Sequence, residues 1–184
     1  GGVSPNFRGD NVLIEDLVLV GLGYGGATTG YGVLMQGRAK LNNLWITNFG
    51  SHGCAVIAAS GDTPSTNANI FWLERVASTS NKGHGIYIDG ADANAGTIIS
   101  CDASSNLGWG FYDASFLGNT FIACHADANT LGSFYVDDVN ARSMFLGCYH
   151  EGGQPMPDMG ASRSTWLGGL VEGRIDGGSF VSTD

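Results

Sequence analysis

Short clusters of β-branched and aromatic residues alternate with glycines along the whole chain. No window of a dozen residues keeps apolar side chains at positions i, i+3, i+4 and i+7 without an intervening glycine. This pattern is typical of many short strands joined by tight turns. We therefore predict an all-β fold.

A repeat underlies this pattern. Cys101, Cys124 and Cys148 stand 23 and 24 residues apart, and Val76 and Gly169 extend the same register to five units. Strand-bearing repeats of this length without helices are typical of a parallel β-helix, or β-solenoid, in which each coil pairs with the coils above and below it. Equivalent residues then stack about 4.8 Å apart. Earlier strands in the chain raise the expected number to about six or seven coils.

Two columns of the repeat are predicted to be structural. Asn81, Asn106 and Asn129 each follow an anchor by five residues. Because Asn tolerates a left-handed backbone and its amide can bond along a stack, we predict an asparagine ladder at one turn. The three anchor cysteines are small and apolar, and we expect them to fill one core layer as free thiols.

A tyrosine column is the first candidate binding surface. Side chains alternate along a strand, so Tyr87, Tyr112 and Tyr135 are predicted to point outward on consecutive coils. Aromatic faces with hydroxyl rims suit sugar rings, and Asp89 and Asp137 lie close enough in sequence to accept bonds from sugar hydroxyls. The alternative interpretation is that the stacked rings stabilise the sheet or pack against a neighbouring subunit.

A column of acidic residues is the candidate catalytic site. Asp127, Glu151 and Glu172 each lie three residues after an anchor, whereas Asp102 and His125 lie one residue after one. Stacked like charges require a shared proton, a cation or splayed side chains. A carboxyl of raised pKa would act as a general acid in glycan hydrolysis, with the spacing deciding between retention and inversion. His125 beside Asp102 would orient or shuttle a proton. The alternative is a set of solvated acids at a turn.

Three segments carry a resemblance to known proteins. The chain resembles the right-handed parallel β-helix proteins typified by pectate lyases, polygalacturonases and bacteriophage tailspikes, and the segments that do so are 11–17, 83–88 and 147–152. The resemblance implies a right-handed solenoid, a polysaccharide ligand, a homotrimer, and a virion or extracellular location. The resemblance does not extend to the polygalacturonase motifs, in which an Asp-Asp pair comes before a Gly-His-Gly segment. Here Gly83-His84-Gly85 comes before Asp137-Asp138.

Charge and composition exclude several classes of binding partner. The 184 residues carry 8 Lys and Arg against 17 Asp and Glu, a net charge of −9, which argues against binding to nucleic acid. The longest apolar runs are too short to insert into a membrane. No C-x-x-C pair or EF-hand spacing occurs, so we expect no cofactor, with calcium left open.

We therefore expect one domain over 1–184, either an excised central domain or a minimal relative of longer proteins. The leading hypothesis is a tailspike-like or extracellular β-helix that binds a polysaccharide, with cleavage by a hydrolase or lyase activity left open. One alternative is a non-catalytic structural or assembly solenoid whose tyrosines lie in a subunit interface. The other is a small secreted glycan lyase or hydrolase that acts as a monomer.

Overall fold

The protein folds as a parallel β-solenoid. The computed structural model describes residues 6–7, 12–23, 29–58, 67–151, 157–171 and 179–181. Every regular element in these segments is a strand, neighbouring strands run parallel, and the coils number about six. The predicted fold class is confirmed. None of the described segments forms a helix long and apolar enough to cross a membrane.

The strands are short, apart from three that each run for eight or nine residues. In chain order they are β1 (Asn6–Phe7), β2 (Val12–Val20), β3 (Val33–Met35), β4 (Ala39–Thr47), β5 (Cys54–Ile57), β6 (Trp72–Thr79), β7 (Ile86–Gly90), β8 (Thr97–Ile99), β9 (Asp102–Ser104), β10 (Trp109–Ser115), β11 (Thr120–Ile122), β12 (His125–Asp127), β13 (Gly132–Val136), β14 (Met144–Leu146), β15 (Tyr149–His150), β16 (Thr165–Leu167), β17 (Leu170–Val171) and β18 (Ser179–Val181).

Two sheets form the wall of the solenoid. One sheet contains six described strands in the order β1-β3-β5-β7-β10-β13. The other sheet is bent: the long strands β2, β4 and β6 cross the bend, and each later coil replaces them with two short strands. We call the part before the bend the first arm, which continues through β8, β11, β14, β16 and β18. The part after the bend, which continues through β9, β12, β15 and β17, is the second arm.

The bend is made by one residue per coil in a left-handed backbone conformation. Asp16, Asn43 and Arg75 take φ values of 58°, 53° and 51° inside the long strands, and the positions that continue the column are Ser100, Ala123, Gly147 and Gly168. A residue with positive φ turns the chain without leaving the hydrogen-bonded register. The anchor of each unit comes directly after this bend.

Inward side chains stack by type along the solenoid. Cys101, Cys124 and Cys148 are buried free thiols, as predicted, and burial raises the pKa of Cys124 well above its usual value. The rings of Phe121 and Phe145 stack with centroids 4.6 Å apart. Side chains of the same type on consecutive coils therefore stack on one another in the core, at the distance that separates the strands.

The predicted asparagine ladder is present and buried. Asn106 Oδ1 accepts bonds from the backbone N–H and the side-chain amide of Asn81, both at 3.0 Å. Asn129 Oδ1 accepts the same pair from Asn106, at 3.0 and 2.9 Å. Gly85 packs against this ladder, and a Cβ there would lie 2.7 Å from Asn106 Nδ2. The repeated glycine is therefore needed for close packing.

A buried carboxyl group, which the sequence did not indicate, supports a second polar ladder. Asp113 is 1% exposed and accepts bonds from Ser143 Oγ at 2.6 Å, Ser115 N at 3.0 Å and Asn119 Nδ2 at 3.2 Å. Burial raises the pKa of Asp113, and these bonds partly oppose the rise. Each of these donors is hydrogen-bonded to the carboxyl group, and these bonds lower the free-energy cost of burying it.

Candidate functional site

The tyrosine column lies on the outward face of the six-stranded sheet. Tyr87 pairs in register with Tyr112, and Tyr112 with Tyr135. Their ring centroids are 5.4 and 5.0 Å apart, and all three side chains are partly exposed. Because each ring covers its neighbour, the column presents mainly ring edges and hydroxyl groups to solvent.

Both candidate aspartates bond to this column. Tyr87 donates its hydroxyl to Asp89 Oδ2 at 2.9 Å. Tyr112 and Tyr135 donate to the two oxygens of Asp137, at 3.0 and 3.3 Å. Burial, followed by these hydrogen bonds, raises the pKa of Tyr87 and of Tyr112, so both stay protonated at neutral pH. The structure thus joins all five predicted binding residues into one row of hydroxyl and carboxylate groups.

A second column of rings lies beside the tyrosines. Its members precede the repeated glycine of each coil, and they are Tyr31, His52, His84 and Trp109. His52 and His84 stack at 4.8 Å with an angle of 5°. His84 also stacks on Tyr112 at 4.6 Å, and Trp109 on Tyr135 at 4.8 Å. The aromatic–Gly dipeptides at the repeat period are a sequence signal that could have revealed this column.

The two histidines of this column are held in the neutral form. His52 Nδ1 accepts the backbone N–H of His84, and His84 Nδ1 accepts that of Trp109, both at 2.8 Å. Burial lowers the pKa of His52 to about 4. Burial, with a smaller contribution from His52, lowers the pKa of His84 to about 3. These imidazoles are therefore structural acceptors at physiological pH.

Three of the five candidate catalytic residues meet on the second arm. His125 pairs in register with Asp102, and its Nδ1 lies 2.6 Å from Asp102 Oδ1. Its Nε2 lies 3.2 Å from Glu151 Oε2. The His125 and Asp102 side chains are about one-third exposed, at 37% and 34%, and Ser104 donates a 2.8 Å bond to Asp102. We call Asp102, His125 and Glu151 the acid–base row.

The row differs from the predicted carboxylate column. Asp127 lies beside its strand partner Ser104, and Glu151, on the next coil, directs a carboxylate oxygen to His125. Glu172 lies outside the described residues. An imidazole between two carboxylates can hold and pass a proton, because both ring nitrogens face acceptor oxygens when it is protonated.

No metal centre is found among the described side chains, where no group of three or more His, Cys, Asp or Glu is arranged to hold an ion. Comparison of the chain with protein-family models, with curated proteins and with solved structures gives no match in any of the three. The function is therefore inferred from the side chains themselves.

Proposed function

We propose that the solenoid binds an extended polysaccharide along the outward face of the six-stranded sheet. The observation that carries this proposal is the row of hydroxyl and carboxylate groups made by Tyr87, Tyr112, Tyr135, Asp89 and Asp137. Its groups repeat at the strand spacing of about 4.8 Å, close to the length of one sugar unit. A repeating surface of this kind suits a repeating polymer.

The chemistry of the row favours neutral or amino sugars. A carboxylate accepts about four hydrogen bonds and a tyrosine hydroxyl keeps lone pairs after donating its proton. Asp137 receives two of these bonds and Asp89 one, so acceptor sites remain for sugar hydroxyl or ammonium groups. Uronates would meet repulsion from a chain of net charge −9 unless calcium bridged them.

Binding is tested with a panel of immobilised bacterial capsular and O-antigen polysaccharides, with and without calcium. Tyr112→Phe and Asp137→Asn keep ring and volume but remove a hydroxyl and a charge, and each should weaken binding about tenfold. Trp72→Phe, which replaces an exposed ring on the first arm of the other sheet, is the matched control. A stable oligomer that binds none of the panel would favour the alternative, in which the tyrosines lie in a subunit interface.

A second candidate function is cleavage of a glycan that binds along the second arm of the other sheet. The acid–base row favours it, because Asp102, His125 and Glu151 bring a proton carrier and two carboxylates to a partly exposed surface. Asp127, on the same face, would be the base for a water molecule. Reducing-end release from the same panel tests this function, and His125→Ala should abolish the release. Release that survives this substitution would place the chemistry elsewhere.

The oligomeric state and the location of the protein are part of the same proposal. A homotrimer on a virion or another extracellular particle would present several such faces to one polymer and raise avidity. A secreted monomer that cleaves glycans is the other arrangement. The mass in solution separates the two.

A further inference from the structure

Trp45 presents an exposed indole on the second arm. It lies on β4, its side chain is 54% exposed, and its Nε1 donates a 3.2 Å bond to Thr79 Oγ1 on the next coil. Its strand partner is Ala77, on whose small side chain a large ring can rest. The hydrogen bond fixes the orientation of the ring, so little rotational freedom is lost when a ligand stacks on it.

Both polar and apolar side chains surround this indole. Trp45 lines a shallow depression of about 400 Å³ together with Asp16, Asn43 and Arg75 of the bend, and its apolar lining residues are Leu17, Val18, Leu44 and Ala77. Asn43 donates a 2.7 Å bond to Asp16, and Arg75 is held by Glu74 at 2.7 Å and Asn42 at 2.8 Å. The site therefore offers an apolar ring face, a carboxylate, an amide and a guanidinium group within one depression, which is how specific small-ligand sites are built.

The depression is aligned with the acid–base row. Strand register places Trp45, Ala77, Asp102, His125 and Tyr149 in one outward column on five consecutive coils. At the strand spacing, Trp45 lies about 14 Å from His125. Trp45 and Tyr149 thus lie on either side of Asp102 and His125 in this column, and only the small side chain of Ala77 lies between Trp45 and Asp102.

We propose that the Trp45 depression is a saccharide subsite. One pyranose ring stacks its C–H face on the indole, and its hydroxyl groups bond to Asp16, Asn43 and Arg75. The glycan then runs along the column, over Ala77, toward Asp102 and His125. This subsite lies on a different sheet from the tyrosine column and does not depend on binding there.

The test follows the indole N–H signals of the whole chain by NMR. Trp45→Phe assigns the Trp45 signal among the four tryptophans. The probes are neutral hexasaccharides of glucose, mannose and N-acetylglucosamine and fragments of any polysaccharide that binds. We expect a probe to shift the Trp45 signal and leave that of Trp166, which is 1% exposed, unchanged.

Substitutions separate this subsite from the tyrosine column. Trp45→Ala should weaken affinity about tenfold, as expected for loss of an aromatic contact, and Trp45→Phe should restore part of it. Trp72→Ala is the matched control, because Trp72 is 38% exposed on the first arm. Circular dichroism checks that each variant folds.

The outcomes are distinct. Loss of binding with Trp45→Ala but not with Tyr112→Phe supports the Trp45 subsite and argues against the tyrosine site. The reverse result overturns the subsite alone. If no probe shifts the Trp45 signal, or if Trp45→Ala binds like the native chain, the proposal is wrong.

Discussion

Two outward surfaces of the same solenoid use histidine in opposite ways. On the six-stranded sheet, His84 lies in a stack of rings and its Nδ1 accepts a backbone N–H. On the second arm, His125 is 37% exposed and both of its ring nitrogens face carboxylate oxygens. The first environment lowers the pKa of the ring, whereas the second places it between two carboxylate groups.

The difference shows that the residue type does not determine the role of a side chain in the repeat. His84 lies in the turn before β7, whereas His125 lies on β12, and the neighbours of each histidine decide its role. A backbone donor and aromatic faces make His84 a structural element, while both ring nitrogens of His125 face carboxylate oxygens on a partly exposed surface. The comparison can be tested by changing pH or one side chain at a time.

The largest expected effect is the response to acid. The folded pKa values of His52, about 4, and His84, about 3, lie below the ordinary value of 6.5. Between those values the unfolded chain binds more protons, so the free energy of unfolding falls as pH falls from 6.5. The loss is on the order of 3 kcal/mol for each imidazole. Urea denaturation at pH 7, 5 and 4 measures it. A flat profile would contradict the neutral stack.

Removing one stacked ring should have the next largest effect. His84→Ala deletes the contacts with His52 and Tyr112 and leaves the N–H of Trp109 without its acceptor. We expect a loss of roughly 2–3 kcal/mol in the free energy of unfolding. Equal losses for His84→Ala and His125→Ala in urea denaturation would remove the distinction between the two surfaces.

A smaller effect is expected for the tyrosine hydroxyls. Tyr112→Phe removes a 3.0 Å bond to Asp137 and leaves the ring stack intact, so the free energy of unfolding should fall by about 1 kcal/mol. Tyr135→Phe, with a 3.3 Å bond, should cost less. Thermal unfolding of both variants gives the comparison, and a loss as large as that of His84→Ala would show that hydroxyls, rather than ring faces, stabilise this surface.

The smallest effect is expected in the acid–base row. Asp102→Asn removes the carboxylate that lies 2.6 Å from His125 Nδ1 on a partly exposed surface, and a surface contact of this kind contributes roughly 0–1 kcal/mol. The difference from the native chain should shrink in 1 M salt, where the Debye length is about 3 Å. A large, salt-independent loss would indicate that the row is a structural element like the ring stack.

The sequence predicted most of the fold because its anchors repeat with little variation. Spacings of 23 and 24 residues place Cys101, Cys124 and Cys148 in register, and the strands around them follow. Alternation then assigned the tyrosines to the outward face correctly. Asp113 was missed because a single acid in an otherwise apolar position carries no periodic signal.

The candidate site was less predictable. Register explains why Asp102 and His125 are neighbours, but the contact between His125 and Glu151 depends on side-chain rotamers. Trp45 was missed for a different reason. Its neighbour Leu44 stands 32 residues before the matching Val76, so the early coils do not align with the regular ones by spacing alone.

The parallel stacking of coils has a mechanical consequence. Each described coil is hydrogen-bonded to the coils on either side through strands that lie across the solenoid axis. Tension applied along that axis therefore pulls directly on the bonds between one coil and the next. The solenoid should yield by peeling one coil at a time from a loaded end, and each step through the regular coils should release about two dozen residues, because their anchors are 23 and 24 residues apart.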